Sequence, residues 1–302
     1  MTFTVNFSRP SGLHPYGGNT LFTAQYKAGK TTTVNNLVRS LADYKPFLGF
    51  ETRKLDGRIA LWNYEMLPAQ ELAWLRALEI EHPERVTLLH LRGKRMPLDM
   101  DACRQWTIDW LRSLEIEFWL LDPIARAATG VDIERDNIAT NVWLENLDEI
   151  KRLGGVVDCL LTAHTPRADN GRTAGAHRLD DWPDALWSLT RNDHGQRFFS
   201  ARGRGVDVAE FPLDFDPTTG RLSASADTRA NVEAEAYARD FAELVANNPG
   251  ANTTTLETRW KRDKNKFGLA KGAAIENGLI HVHKRGNPTL HYPGPASDGC
   301  HE

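Results

Sequence analysis

Ala24-Gln25-Tyr26-Lys27-Ala28-Gly29-Lys30-Thr31 is the stretch on which the reading of this chain turns. Residues 20–23 before it read as a strand, and residues 30–42 after it as a helix. A strand that passes through such a loop into a helix is the context that G-x-x-x-x-G-K-[ST] requires. Successive backbone N–H groups there form a concave anion nest at the positive end of the helix. On this reading Ala24, Gln25, Tyr26, Lys27, Ala28, Gly29, Lys30, Thr31 and Thr32 surround the phosphates of ATP. Lys30 reaches the β- and γ-phosphates, the Thr31 hydroxyl binds Mg²⁺, and Gly29 lets the backbone come close. Ala24 stands where the first glycine of the pattern is usual.

Outward from this loop, strand-like and helical runs alternate. Strands are expected at 58–64, 85–91, 118–121 and 156–162, and helices at 70–80, 101–114 and 138–153. Asp56-Gly57 before the second strand suggests a hairpin turn. The continuous apolar run Phe118-Trp119-Leu120-Leu121 is that of a strand buried on both faces. After Asp180 the pattern changes to consecutive strands at 186–190, 197–201 and 208–215, an antiparallel edge. The expected fold class is α/β, a mostly parallel sheet with helices on both faces, which the resemblance described below makes RecA-like.

Two carboxylates fall at strand ends. Asp122 follows the apolar run and projects from the carboxyl edge of a buried strand, where ligands sit in such sheets. It is placed to hold Mg²⁺ through water. Glu65 ends the strand lying between the two motifs in sequence, where a carboxylate activates an attacking water.

The order of these motifs resembles RecA-fold ATPases of the DnaB and RepA type, the latter RepA-like AAA-family proteins. Asn63-Tyr64-Glu65-Met66 is similar in its last two positions to the Ser-Leu-Glu-Met of DnaB-like helicases, whose Glu is the catalytic base. Asp122-Pro123-Ile124-Ala125-Arg126 resembles the Asp-Pro-Leu-Ala-Arg of RepA-like proteins. Leu161-Thr162-Ala163-His164 resembles the family strand whose polar tip senses the γ-phosphate, which implies that role for His164. Phe199-Ser200-Ala201-Arg202-Gly203-Arg204-Gly205 resembles a Lys-x-Arg-x-Gly segment that reaches into a neighbouring subunit. That resemblance implies an arginine finger, Arg204, with Arg202 as its companion, and a hexameric ring of identical chains. Single-stranded DNA would then be gripped by channel loops. The loop at 166–177, with Arg167 and Arg172, is the candidate. The resemblance covers about 19–216.

The whole chain carries a net charge of −3 over 302 residues, which by itself hints at no nucleic acid. The charge is unevenly divided. Residues 251–292 carry +5 and the remainder −8. After a linker at 223–229 and a helix at 230–246, helices are expected from Thr254-Thr255-Leu256-Glu257, a capping box, and at 265–276. A hairpin at 279–284 and 289–292 follows, and residues from Gly294 onward read as a frayed tail. Helix, helix and two-stranded wing outline a winged helix-turn-helix domain at 248–294, behind an ATPase domain at 1–222 and a linker and helix at 223–247. Its candidate DNA contacts are Lys261, Arg262, Lys264, Lys266, Lys284 and Arg285, with single- or double-stranded DNA as partner. Trp260 and His291 either pack or stack.

No stretch reads as a signal peptide or membrane span, and three scattered cysteines suit a reducing cytoplasm. The expected function is an ATP-hydrolysing replication helicase, with other replication proteins as further partners. The small space before the phosphate loop favours the shorter RepA plan, or a non-unwinding loader or RecA-type repair factor. A small-molecule P-loop kinase and a DNA-binding regulator with a degenerate site are the other readings. A kinase has no need of a water-activating Glu65.

Overall fold

The apolar runs become the middle of a nine-stranded sheet. This is a computed structural model, and it describes residues 10–133, 135–164, 178–284 and 288–294. The chain divides into two compact units, Met1–Ser225 and Ala226–Glu302.

The first unit runs β1 (Asn19–Ala24), α1 (Lys30–Asp43), β2 (Arg58–Asn63), α2 (Pro68–Ala77), β3 (Val86–His90), α3 (Asp101–Ser113), β4 (Ile116–Asp122), α4 (Ile124–Ala127), α5 (Asn137–Gly154), β5 (Asp158–His164), α6 (Arg178–Asp181), β6 (Ala185–Arg191), β7 (Arg197–Gly203), β8 (Val206–Phe215) and β9 (Leu222–Ala224). The strand order is β3-β2-β4-β5-β1-β6-β7-β8-β9. From β3 to β6 every pairing is parallel, and from β6 to β9 every pairing is antiparallel. β6 itself pairs parallel with β1, so the antiparallel edge begins only at β7.

The parallel strands are apolar on both faces because helices cover both. Phe22, Phe118, Leu120 and Leu160 pack with Val34, Leu37, Val38 and Leu41 of α1 and Leu75 of α2. The alternate residues Leu21, Trp62, Trp119, Leu121 and Leu161 pack with Ile108 and Leu111 of α3 and with Trp143, Leu144 and Leu147 of α5. Asn36 of α1 ties this helix to the far edge. Its amide donates to the Gly220 carbonyl at 2.9 Å, and its oxygen accepts from the Leu222 N–H at 3.0 Å.

The Asp56-Gly57 pair is not a hairpin turn. β2 pairs parallel with β3 and β4. Gly57 is there for close approach, since a Cβ would lie 2.4 Å from the Glu115 carbonyl oxygen. Ser223–Ala224, expected within a linker, is hydrogen-bonded as part of β9 against β8.

The second unit contains α7 (Arg229–Ala246), β10 (Ala251–Asn252), α8 (Thr253–Arg259), α9 (Phe267–Glu276), β11 (Ile280–Lys284) and β12 (Thr289–Pro293). β12 lies between β10 and β11 in an antiparallel sheet of three strands, one more than the expected hairpin. The cap of α8 is Asn252, whose side chain accepts from the Thr255 N–H at 2.8 Å, rather than Thr254. Trp260 and His291 pack rather than face solvent. Trp260 is 7% exposed among Phe241, Phe267 and Tyr237, and His291 is 1% exposed beside Phe241. Burying a Trp in so small a core dominates its stability. Trp260→Ala is expected to cost about 3–5 kcal/mol and to unfold this unit at a lower temperature, as read by calorimetry.

Candidate active site

Register places the functional side chains along one edge. Ala24 pairs with His164 on one side and Leu189 on the other, and Asn63 pairs with both His90 and Asp122. All of these are carboxyl ends of parallel strands. The crevice outside such ends, at the strand where the winding changes direction, is where ligands bind.

The phosphate loop turns through two residues with positive φ, Lys27 at 59° and Gly29 at 107°. Gly29 is the N-cap of α1, and no side chain caps that helix. Its first N–H groups are therefore left to an anion. A Cβ on Gly29 would stand 2.9 Å from Arg197 Nε, which itself donates to the Ala28 carbonyl at 2.9 Å. Gly29→Ala combines a strained φ with a displaced Arg197. It is expected to destabilise the unit by about 1–2 kcal/mol and to weaken binding of an ATP analogue at least tenfold, by calorimetry. Ala24, by contrast, is the extended last residue of β1 and fully buried, with no positive φ. The substitution of the usual glycine costs this loop nothing in backbone conformation.

Lys30 is 6% exposed, and its Nζ lies 2.7 Å from Asp122 Oδ1. It also donates to Thr162 Oγ1 at 3.1 Å, and the Thr162 hydroxyl donates to Asp122. These three groups, brought together from α1, β4 and β5, form one buried cluster below the loop. The Asp122–Pro123 peptide bond is cis.

Glu65 faces this cluster from the end of β2. His164 Nε2 lies 3.9 Å from its Oε2, an ion-pair distance, and Arg126 Nε donates to its Oε1 at 3.3 Å. His164 foremost, with Lys30 and Arg126, holds the Glu65 carboxyl down at about 2. Glu65 is therefore ionised at neutral pH, as a base must be.

The turn that aims Glu65 is built on Asn63, 1% exposed. Its side-chain oxygen accepts from the Glu65 and Met66 N–H groups at 2.9 and 2.8 Å. Its amide donates to Glu71 Oε1 at 2.7 Å, and Glu71 Oε2 lies 3.0 Å from His90 Nδ1. Burial pushes the fully buried Glu71 up to about 7, and burial pushes His90 down. Both directions favour neutral side chains at this contact, with Glu71 accepting from Asn63. A raised carboxyl stabilises the fold below its unfolded value near 4.5, and that contribution is lost as pH rises through about 7. Glu71→Gln is expected to flatten this loss between pH 4.5 and 7, seen as a melting temperature that falls less with pH than the parent's.

Arg202 and Arg204 lie elsewhere. Gly203 pairs with Ala185 at the amino end of β6, so both arginines sit at the sheet edge opposite the phosphate loop. Arg204 is 76% exposed, with Nη1 3.2 Å from Asp184 Oδ1. They do not serve the site of their own chain. Arg167 and Arg172 of the expected DNA loop, and Arg285 of the wing, lie outside the described residues. Lys261, Lys264 and Lys284 are exposed and form no ion pair among the described residues. Arg262 and Lys266 pair with Asp240 at 2.8 Å and Glu233 at 3.6 Å. Sequence reasoning passed over Thr162, Arg126, Arg197, Asn63 and Glu71. Thr162, Arg126 and Asn63 stood inside motifs quoted above without a role of their own, and Arg197 and Glu71 carried no local signal.

An uncapped helix start behind a strand, with a buried Lys–Asp pair beneath it, defines a P-loop ATPase domain. The family comparison agrees, with the family model described as an AAA domain matching residues 9–170, and the chain belongs to that family. No curated protein matches the chain. The residues present fit a nucleotide, typically held with Mg²⁺. The N–H groups of the loop and Lys30 would hold phosphate, and Thr31 and Asp122 would hold the metal, whose charge would offset that of the phosphates. Among the described residues no group of three or more His, Cys, Asp or Glu side chains is placed to hold a metal. Among them, too, no helix is long and apolar enough to cross a membrane.

Proposed function

We propose that this protein hydrolyses ATP to drive movement along single-stranded DNA, as a ring-forming replication ATPase of the RepA/DnaB type with helicase activity. The observation that carries the reading is Glu65, ionised under the influence of Lys30 and set in a turn that Asn63 fixes. In this mechanism Lys30 and the loop N–H groups fix the phosphates, Glu65 takes a proton from the attacking water, and His164 reports the γ-phosphate. Arg204, with Arg202, would complete the site of a neighbouring copy in a hexamer. Its place at the opposite edge and its exposure are consistent with action in trans. Glu65 argues against phosphoryl transfer to a small-molecule hydroxyl, since a transferase has no use for a water-activating base there.

The second unit is proposed as a winged helix that contacts DNA through Lys261, Lys264 and Lys284. A specific observation favours another partner for α9, whose Leu269 and Ile275, followed by Leu279, are exposed apolar residues. Exposed apolar residues suit a protein of the replication machinery better than a major groove. The reading is tested by ATP turnover with and without single-stranded DNA, by separation of a forked duplex, and by native mass. DNA-stimulated turnover, unwinding and a ring mass are expected. Stimulated turnover without unwinding leaves the loader reading, and a monomer under every condition removes Arg204 from catalysis.

A further inference from the structure

Beside Glu65, which its lining residue Arg126 contacts, lies a polar cleft of about 560 Å³. One wall is the turn after β3, with Gly93, Lys94 and Arg95, and the other is the segment Ala125–Asp132 after β4. Lys94, Arg95 and Arg126 are exposed cations along it, and Asp132 is the one acid on its rim among the described residues. Tyr64 closes the back. It is 2% exposed, and its hydroxyl finds no hydrogen-bond partner among the described residues. A cleft lined by three exposed cations, in a chain of net charge −3, concentrates positive charge locally and suits an anion. It is open to solvent between two loops, which suits a chain of phosphates better than one enclosed ion. Arg126 belongs to two places at once, since it lines this cleft and its Nε also reaches Glu65 at 3.3 Å.

We propose that the cleft binds the phosphodiester backbone of a single-stranded nucleic acid, and that its occupancy draws Arg126 from Glu65 onto a phosphate. Arg126 is then a positioning residue that restrains the base in the absence of polyanion and releases it when the cleft fills. The inference rests on the reading of Glu65 as the base, but the cleft can be judged without it. Nothing in it requires the residues of the second unit.

The experiment titrates a fluorescein-labelled thirty-nucleotide oligo-dT into the full-length chain, with anisotropy and ATP turnover read in parallel across a salt series. Lys94→Ala/Arg95→Ala is expected to raise the oligonucleotide concentration for half-maximal stimulation about tenfold and to flatten the salt dependence. Arg126→Ala is expected to raise turnover without oligonucleotide at least threefold and to abolish further stimulation, whereas Arg126→Lys, which can still pair with Glu65, keeps turnover dependent on it. Unchanged half-maximal stimulation in the double variant overturns the cleft. Loss of turnover in Arg126→Ala would mean that Arg126 serves the phosphates of ATP, and overturns the restraint. Stimulation by inorganic phosphate equal to that by oligo-dT would assign the cleft to free phosphate and overturn the polynucleotide. Should Glu65→Gln turn over as fast as the parent, the base assignment fails, and the anisotropy titration still decides the cleft.

Discussion

Glu65→Gln is expected to lower the ATP turnover number by two to four orders of magnitude while leaving ATP-analogue binding within about threefold. General-base catalysis contributes roughly 10²–10⁴ in rate, and a Gln amide has no lone pair basic enough to take the proton. The change is nearly isosteric. Arg126 loses an ionic partner and His164 a neighbouring carboxylate at a half-buried position, so stability should move little. The backbone bonds from the Glu65 and Met66 N–H groups to Asn63 do not involve the side chain and keep the turn in place. Single-turnover quench kinetics separates this loss of chemistry from slow product release. A Gln variant that hydrolyses at the parental rate would remove Glu65 from the mechanism.

Lys30→Met is expected to have two separable effects of comparable size. The first is loss of nucleotide binding and turnover to below detection, because the only cation buried within the phosphate loop is gone. The second is structural. Asp122 is 2% exposed and accepts from Lys30 at 2.7 Å and from Thr162. Removing one partner of a buried pair leaves an uncompensated charge and costs about 3–5 kcal/mol. In a unit of about this length that corresponds to a fall of roughly 10 °C in melting temperature. Lys30→Met/Asp122→Asn should recover most of that stability and none of the turnover, since the second change removes the orphaned charge without restoring the cation. Recovery of turnover in the double variant would show that Lys30 acts on stability alone.

These expectations draw on different parts of what was readable. The phosphate loop, the buried strands around Leu21 and Leu120, and the placement of Glu65 and Asp122 at strand ends came from local pattern. Periodicity and a short motif report what a segment does by itself. Thr162 could not be found that way, because its importance lies in standing between Lys30 and Asp122, residues from two other elements. Glu71 lies in a segment that the sequence shows only as helical. Its burial depends on β2, β3 and α2 closing around it, which no window of sequence contains. Arg202 and Arg204 were legible as a motif, yet only the antiparallel register of β6 and β7 assigns them to the opposite edge. The Asp56-Gly57 pair misled for a related reason, since a close backbone crossing selects glycine as strongly as a turn does.

By itself, then, the sequence determined that strands and helices alternate, that one loop is shaped for phosphate, and that one carboxylate, Asp122, ends a strand while Glu65 falls just beyond another. Each of these follows from short-range periodicity, backbone conformation and charge. Only the tertiary structure decided the strand order, with β5 inserted between β1 and β4, and with it the meeting of Lys30, Thr162 and Asp122. It also decided that Arg126 spans Glu65 and a cationic cleft. Hydrogen-bonded neighbours in a parallel sheet are chosen by how two helical layers pack across its faces, a choice made between residues far apart along the chain.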